Sequence, residues 1–142
     1  MNNYFDNSFT KLVLSEGGYV NDPDDSGGET YLGVTRRDHP KAKFWRVIDN
    51  LKTIKDFKSI NTKLKLDSDV VNEIKSIYKK QYWDTINLDK LTNKQLAHQI
   101  FDHAVNAGVG SAIGLAEELV GLPVTKRYSK LLTDKLVSYG IS

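Results

Sequence analysis

Phe5, Phe9, Leu12 and Val13 recur at helical spacing, and Glu16 continues the series, so residues ~5–16 read as an amphipathic helix. Gly17 and Gly18 stop it. Glu16 therefore falls in the last turn, on the side of the buried stripe, with glycine backbone beside it. Residues 17–35 break every period and read as a loop with short strands near Tyr19–Val20 and Tyr31–Val34.

Helical spacing returns at Pro40, a good first helical residue, in a segment carrying Phe44, Trp45, Val47 and Ile48. "KDFKSINTKL" is a weaker helix. Over ~68–83, Val70, Val71, Ile74, Ile77, Tyr78 and Tyr82 share one face, with Asp67 or Ser68 as the cap. Thr92 and Gln95 have the spacing of a capping box, opening a helix with the stripe Leu96, Ile100, Phe101, Ala104 and Val105 that Gly108 closes. Ser111 starts another helix, ending at Gly121. Thr125 caps the last, which carries Leu131, Leu132, Leu136 and Val137 before Gly140. The fold class is mainly α, with six to seven helices and at most a small β-hairpin near the irregular segment. No repeat or interdomain linker interrupts residues 1–142, so the expectation is a single domain.

Composition narrows the chemistry. The chain has no cysteine, which removes disulfides, thiolate metal sites and a cysteine nucleophile. Its 20 basic residues against 18 acidic ones are scattered, so neither a nucleic-acid patch nor a polyanion tail stands out. No apolar run approaches the ~18 residues of a membrane span, and no signal peptide is visible at the N-terminus. The acids are uneven: five of them, with five glycines, fall between Ser15 and Thr35.

That segment suggests two chemistries. Asp22, Asp24, Ser26 and Gly27 imitate the start of a calcium loop, but Gly33 stands where the bidentate glutamate belongs, so no metal is expected. Paired carboxylates fit better. Glycoside hydrolysis needs one protonated acid and commonly a second, ionised group. A core-facing helix end raises a glutamate pKa, while a wet glycine-rich loop leaves an aspartate ionised. Glu16 and Asp25 suit these two environments, and the Thr30 hydroxyl is placed to orient a water. An aspartate-rich exposed turn explains the same composition without any activity. Asp22 and Asp24 read as turn formers.

"EGGYVNDPDDSGGET" followed by "GVT" resembles the signature of glycoside hydrolase family 108, the N-acetylmuramidases of phages and bacteria. Three later stretches are similar to the family in the same order: Tyr82, Trp83 and Asp84; the "DHAVNAG" of Asp102–Gly108; and the helix that follows. Ser26 and Tyr31 depart from the family's usual proline and asparagine, and residues 122–142 match poorly where family members often carry a peptidoglycan-binding region.

The resemblance implies a lysozyme-like α+β fold, a glycan-strand substrate, no cofactor and Glu16 as the catalytic acid. Asp25 and Thr30 are expected to act beside it. Tyr19, Tyr31, Trp83, Asp102 and Asn106 are candidate substrate contacts. Each has a plainer reading: Trp83 as core, Tyr19 as a cover over the loop, and Asp102 with Asn106 as a polar pair stabilising helix packing. His98 and His103, five apart on diverging faces, do not form a metal pair.

The expected activity is cleavage of the β-1,4 bond between N-acetylmuramic acid and N-acetylglucosamine in the cell wall. The expected setting is a monomer without membrane insertion, made in the cytoplasm and delivered to the wall by a holin or another route. A lytic transglycosylase using Glu16 alone, and a non-catalytic wall-binding module, are the rivals.

Overall fold

The N-terminal helix forms in two geometries. In a computed structural model of the protein, which describes residues 3–14, 18–21, 28–53 and 57–139, α1 (Asn3–Phe9) is an α-helix and Thr10–Leu14 is π-helical. Phe5, Phe9 and Val13 are its buried hydrophobic positions, as the i, i+4 spacing predicts, and Ser8 is buried beside them. The π turn changes the phase of whatever follows, so a 3.6-residue extrapolation does not fix the facing of residue 16. The chain divides into two compact units, Phe9–Ile77 and Met1–Ser8 with Tyr78–Ser142.

The Phe9–Ile77 unit holds a three-stranded antiparallel sheet, β1 (Tyr19–Asn21), β2 (Glu29–Tyr31) and β3 (Val34–Thr35), in the order β1-β2-β3. The strand expected at Tyr31–Val34 is instead two strands joined by a tight turn. Leu32 and Gly33 have φ of 48° and 83°. Positive φ at both central residues matches the twist of a two-residue hairpin. Leucine adopts that conformation reluctantly, and its burial offsets the strain. Tyr19 pairs with Tyr31 and Tyr31 with Val34, which makes a buried face, whereas Val20, Thr30 and Thr35 form the opposite one.

Three helices complete this unit: α2 (Phe44–Leu51), α3 (Phe57–Leu66) and α4 (Ser68–Tyr78). The second helix begins four residues later than Pro40 predicts. Both oxygens of the Glu73 carboxylate take backbone N–H groups there, Lys43 at 2.8 Å and Phe44 at 2.7 Å. Such a charged cap satisfies donors the helix cannot pair itself. Trp45 Nε1 meanwhile donates to the His39 carbonyl, holding the preceding turn. Asp67 caps α4 as expected, accepting from the N–H groups of Asp69 and Val70.

In the other unit, π-helical Lys79–Trp83 leads through two short 3-10 turns to α5 (Lys94–Ala107), α6 (Val109–Leu119) and α7 (Lys130–Ser138). Two expected caps are displaced. Asn93, not Thr92, accepts from Leu96 N, and Ser129, not Thr125, accepts from Leu132 N. Helix α6 starts at Val109, before Ser111.

Thr125 serves a different end. Its N–H and hydroxyl, with the N–H of Lys126, all bond the buried Glu117 carboxylate, fastening the connection between α6 and α7. Gly114 makes room, since a Cβ there would lie 3.2 Å from Lys126 Cγ. Phe5, Trp83 and Phe101 meet edge to face at 5.3–5.7 Å and form this unit's aromatic centre. The architecture is the expected mainly α one, with a small sheet and seven α-helices among the described residues. No described helix is long and apolar enough to cross a membrane.

Candidate active site

Glu16 and Asp25, with Asp22, Asp24 and Ser26, lie outside the described residues. The structure does define the strands that flank them. Gly18 leads into β1, where Tyr19 N–H donates to Asn61 Oδ1 of α3 at 2.9 Å. A Cβ on Gly18 would come within 2.7 Å of Asn61 Nδ2, so a side chain there has to displace the Asn61 amide.

At the start of β2, Glu29 gathers a dense set of partners. Tyr19 Oη donates to its Oε2 at 2.6 Å, Lys52 Nζ reaches the same oxygen at 2.5 Å, and Arg36 Nη1 bonds Oε1 at 2.9 Å. Arg36 also grips Asp49 with both terminal nitrogens, at 2.8 and 2.9 Å, and lies over the Trp45 ring. Lys52 reaches Asp49 at 3.1 Å. Burial alone would raise the Glu29 pKa, but bonds from Lys52, Tyr19 and Arg36 outweigh it and hold the carboxyl below its ordinary value. Burial first, then Glu29, pushes the Tyr19 phenol up to about 12. Glu29 is therefore a fixed anion at neutral pH and cannot act as a proton donor.

Thr30 follows Glu29 in β2, so its side chain leaves the opposite face, partly exposed, beside Val20 and Thr35. Tyr31 is fully buried against Phe44, and no described residue partners its hydroxyl. Desolvation raises its pKa to about 12.

The remaining candidates belong to the other unit. Asp102 and Asn106 share a helix face as their spacing predicts: Asn106 Nδ2 bonds Asp102 Oδ1 at 2.5 Å and the Asp102 carbonyl at 2.9 Å. Asn106 is exposed and Asp102 partly so, which leaves both open to a ligand. Trp83 is fully buried and donates its indole N–H to Asp89 at 2.6 Å. It offers no face for a sugar ring to stack on. His98 and His103 bond Ser8 and Ser111 respectively. An apolar groove of about 400 Å³ between α5 and α6, walled by Leu96, Ile100, Leu115 and Leu119, includes none of the candidate residues.

Glu29, Arg36, Asp49, Lys52 and Asn61 are the site-flanking residues that sequence reasoning missed. Only the Asp49–Lys52 pair, three apart on a helix, had a readable spacing.

The family model for glycosyl hydrolase 108 matches residues 9–108, a span that holds both strands of the Tyr19–Glu29 contact and the Asp102–Asn106 pair. The chain belongs to the glycosyl hydrolase 108 family. It is accordingly a glycoside hydrolase. No curated protein sequence matches this family member. Among solved structures it is similar to that of Brucella abortus SagA, with a TM-score of 0.59 and 22% identity over 93% of this chain and 67% of the other. At that identity the likeness concerns the fold.

Proposed function

We propose that this glycosyl hydrolase 108 enzyme is an N-acetylmuramidase that hydrolyses the β-1,4 bond between N-acetylmuramic acid and N-acetylglucosamine in peptidoglycan. The observation that carries the reading is the family match, which includes the Glu16 signature and runs through Asp102, Asn106 and Gly108. Glu16 donates a proton to the leaving glycosidic oxygen. Asp25 and Thr30 position the attacking water or face the positive charge that develops on the sugar.

The open-face position of Thr30 supports its hydroxyl as the water's partner. Hydrolysis assisted by a held water inverts the anomeric centre, which calls for carboxyl groups about 6.5–9.5 Å apart. Asp102 and Asn106 bind the glycan strand, with the Asn106 amide hydrogen-bonding an N-acetyl group. Tyr19 acts through the strand it anchors. Tyr31 and Trp83, both buried, act as packing and not as sugar platforms. The enzyme works as a monomer and a single catalytic domain over 1–142, reaching the wall through a holin or by another export route.

The test is digestion of purified peptidoglycan by wild type and Glu16→Gln. Reducing muramic ends from the wild type, and a loss of about 10³-fold or more in the variant, are expected for removal of the proton donor. Anhydro-muramyl ends would replace hydrolysis with intramolecular transglycosylation. Wild-type lysis by Glu16→Gln would sink the assignment of the acid, and binding without turnover by the wild type would make the protein a wall-binding module.

A further inference from the structure

We infer that Glu29 is a positioning residue for the reaction proposed above: its ion cluster clamps the two strands that bracket residues 22–28 in the sequence. The inference rests on that proposed reaction for its consequence and on described geometry for its cause. β1 begins three residues after Glu16, and β2 begins four residues after Asp25. The backbone ladder between them is short, pairing Tyr19 with Tyr31, Val20 with Thr30 and Asn21 with Glu29. A three-residue ladder is marginal by itself.

Side chains supply what the ladder lacks. The Tyr19 hydroxyl reaches diagonally across the ladder to Glu29, so the first residue of β1 and the first residue of β2 are bonded directly. From the same carboxylate, Arg36 and Lys52 extend the linkage to Asp49 on α2. Asn61 of α3 pins the other side of Tyr19 through its backbone N–H. The sheet is thereby tied to α2 through the Glu29 anion and to α3 through the Tyr19 N–H. The Glu29 carboxylate oxygens are both occupied, by Lys52 and Tyr19 on one and Arg36 on the other.

Thr30 sits one residue along the clamped strand, on its other face. Any slackening of Glu29 moves the hydroxyl that the mechanism asks to hold a water. Displacements of an ångström at a reacting centre cost about 10²-fold in rate. The same clamp sets the positions from which the chain departs at Asn21 and returns at Gly28. Glu29 touches no reacting atom in this scheme: its negative charge is spent on its three partners, and its face is the one opposite Thr30.

The experiment compares Glu29→Gln, Lys52→Met and Glu16→Gln on soluble glycan fragments, recording kcat, KM, the pH–rate profile and hydrogen exchange over residues 18–31. The expected result is a fall in kcat of about tenfold or more for Glu29→Gln with KM within about twofold. The pH limbs should shift, and exchange should be faster across β1 and β2, while the protein stays folded at the assay temperature. Lys52→Met, which removes an exposed partner and leaves the carboxylate in place, should show the same pattern at smaller size. It also serves should Glu29→Gln not fold. Wild-type kcat and unshifted limbs in a folded variant overturn the clamp. An inactive Glu16→Gln beside them leaves the proposed reaction standing, whereas an active Glu16→Gln overturns that reaction and the positioning role with it.

Discussion

Replacing Tyr31 by phenylalanine should stabilise the protein, although tyrosine is the larger and more polar residue. Tyr31 is 0% exposed, and no described residue partners its hydroxyl. Burying a hydroxyl without a bond costs about 1–3 kcal/mol in proteins. Removing one oxygen leaves a small void, worth about 0.3–0.5 kcal/mol at roughly 24 cal/mol per Å³. The net expectation is a gain of about 0.5–2 kcal/mol. With a urea slope of about 2 kcal/mol per molar, the midpoint should rise by roughly 0.3–1 M.

Alkaline pH gives a second reading of the same group. The folded phenol titrates near 12 against an ordinary 10.0, so the folded state keeps its proton longer than the unfolded chain. Its stabilisation is complete below about pH 10 and is lost as pH rises toward 12. The advantage of Tyr31→Phe in urea midpoint should therefore widen above pH 10, because the variant has no such proton to lose. Tyr19 and Tyr78 contribute to both proteins and cancel in the difference. A midpoint lowered by more than about 0.3 M at neutral pH would mean that the phenol is bonded, and the reasoning would fail.

Other outcomes follow from the same geometry. Gly18→Ala should push the Asn61 amide off Tyr19 N–H and cost about 1–3 kcal/mol, and in an Asn61→Ala background it should cost far less. A full penalty in that background, read by urea denaturation, would remove Asn61 as the cause. Trp83→Ala should lose about 3–5 kcal/mol with the Phe5 and Phe101 contacts, seen as a sharp drop in Tm. Unchanged Tm with lost glycan binding would instead make Trp83 a sugar platform. Glu29 and Glu117 both have pKa values below the ordinary 4.5, so each stabilises the fold above that value and loses the contribution as pH falls through its lower folded value. Glu117→Gln should flatten the dependence of the urea midpoint on pH below about 4.5, and an unaltered slope would contradict the clip at Thr125 and Lys126.

Helix positions were readable wherever an apolar stripe repeated. Ile74, Ile100, Phe101 and Leu132 lie where the spacing puts them. Helix beginnings were harder, because a cap can come from a distant residue. Nothing local distinguishes Pro40 from Phe44 as a start until Glu73, 29 residues on, supplies the bonds. Thr125 has the look of a cap, yet its hydroxyl is claimed by Glu117. The site divides in the same way. Helical spacing paired Asp102 with Asn106, whereas Glu16, suggested by a family signature, and Asp25, suggested by carboxylate chemistry, lie outside the described residues. The partners of Glu29 come from β1, the turn after β3 and the end of α2, and no spacing rule connects Tyr19 to Lys52. Leu32 hid the second hairpin, since leucine is not a residue that announces positive φ.

The π-helical turns at Thr10–Leu14 and Lys79–Trp83 also bear on which length changes the chain tolerates. A π turn accommodates one residue more than the α turn it replaces. Deleting a single residue inside Thr10–Leu14 would let an ordinary helix close over the gap, with Phe5 and Phe9 keeping their places. The same deletion inside regular α5 would have no slack to consume and would rotate every later core position off its face. Among the described helices, the two π segments are thus places where the chain can lose a residue and keep its core in register.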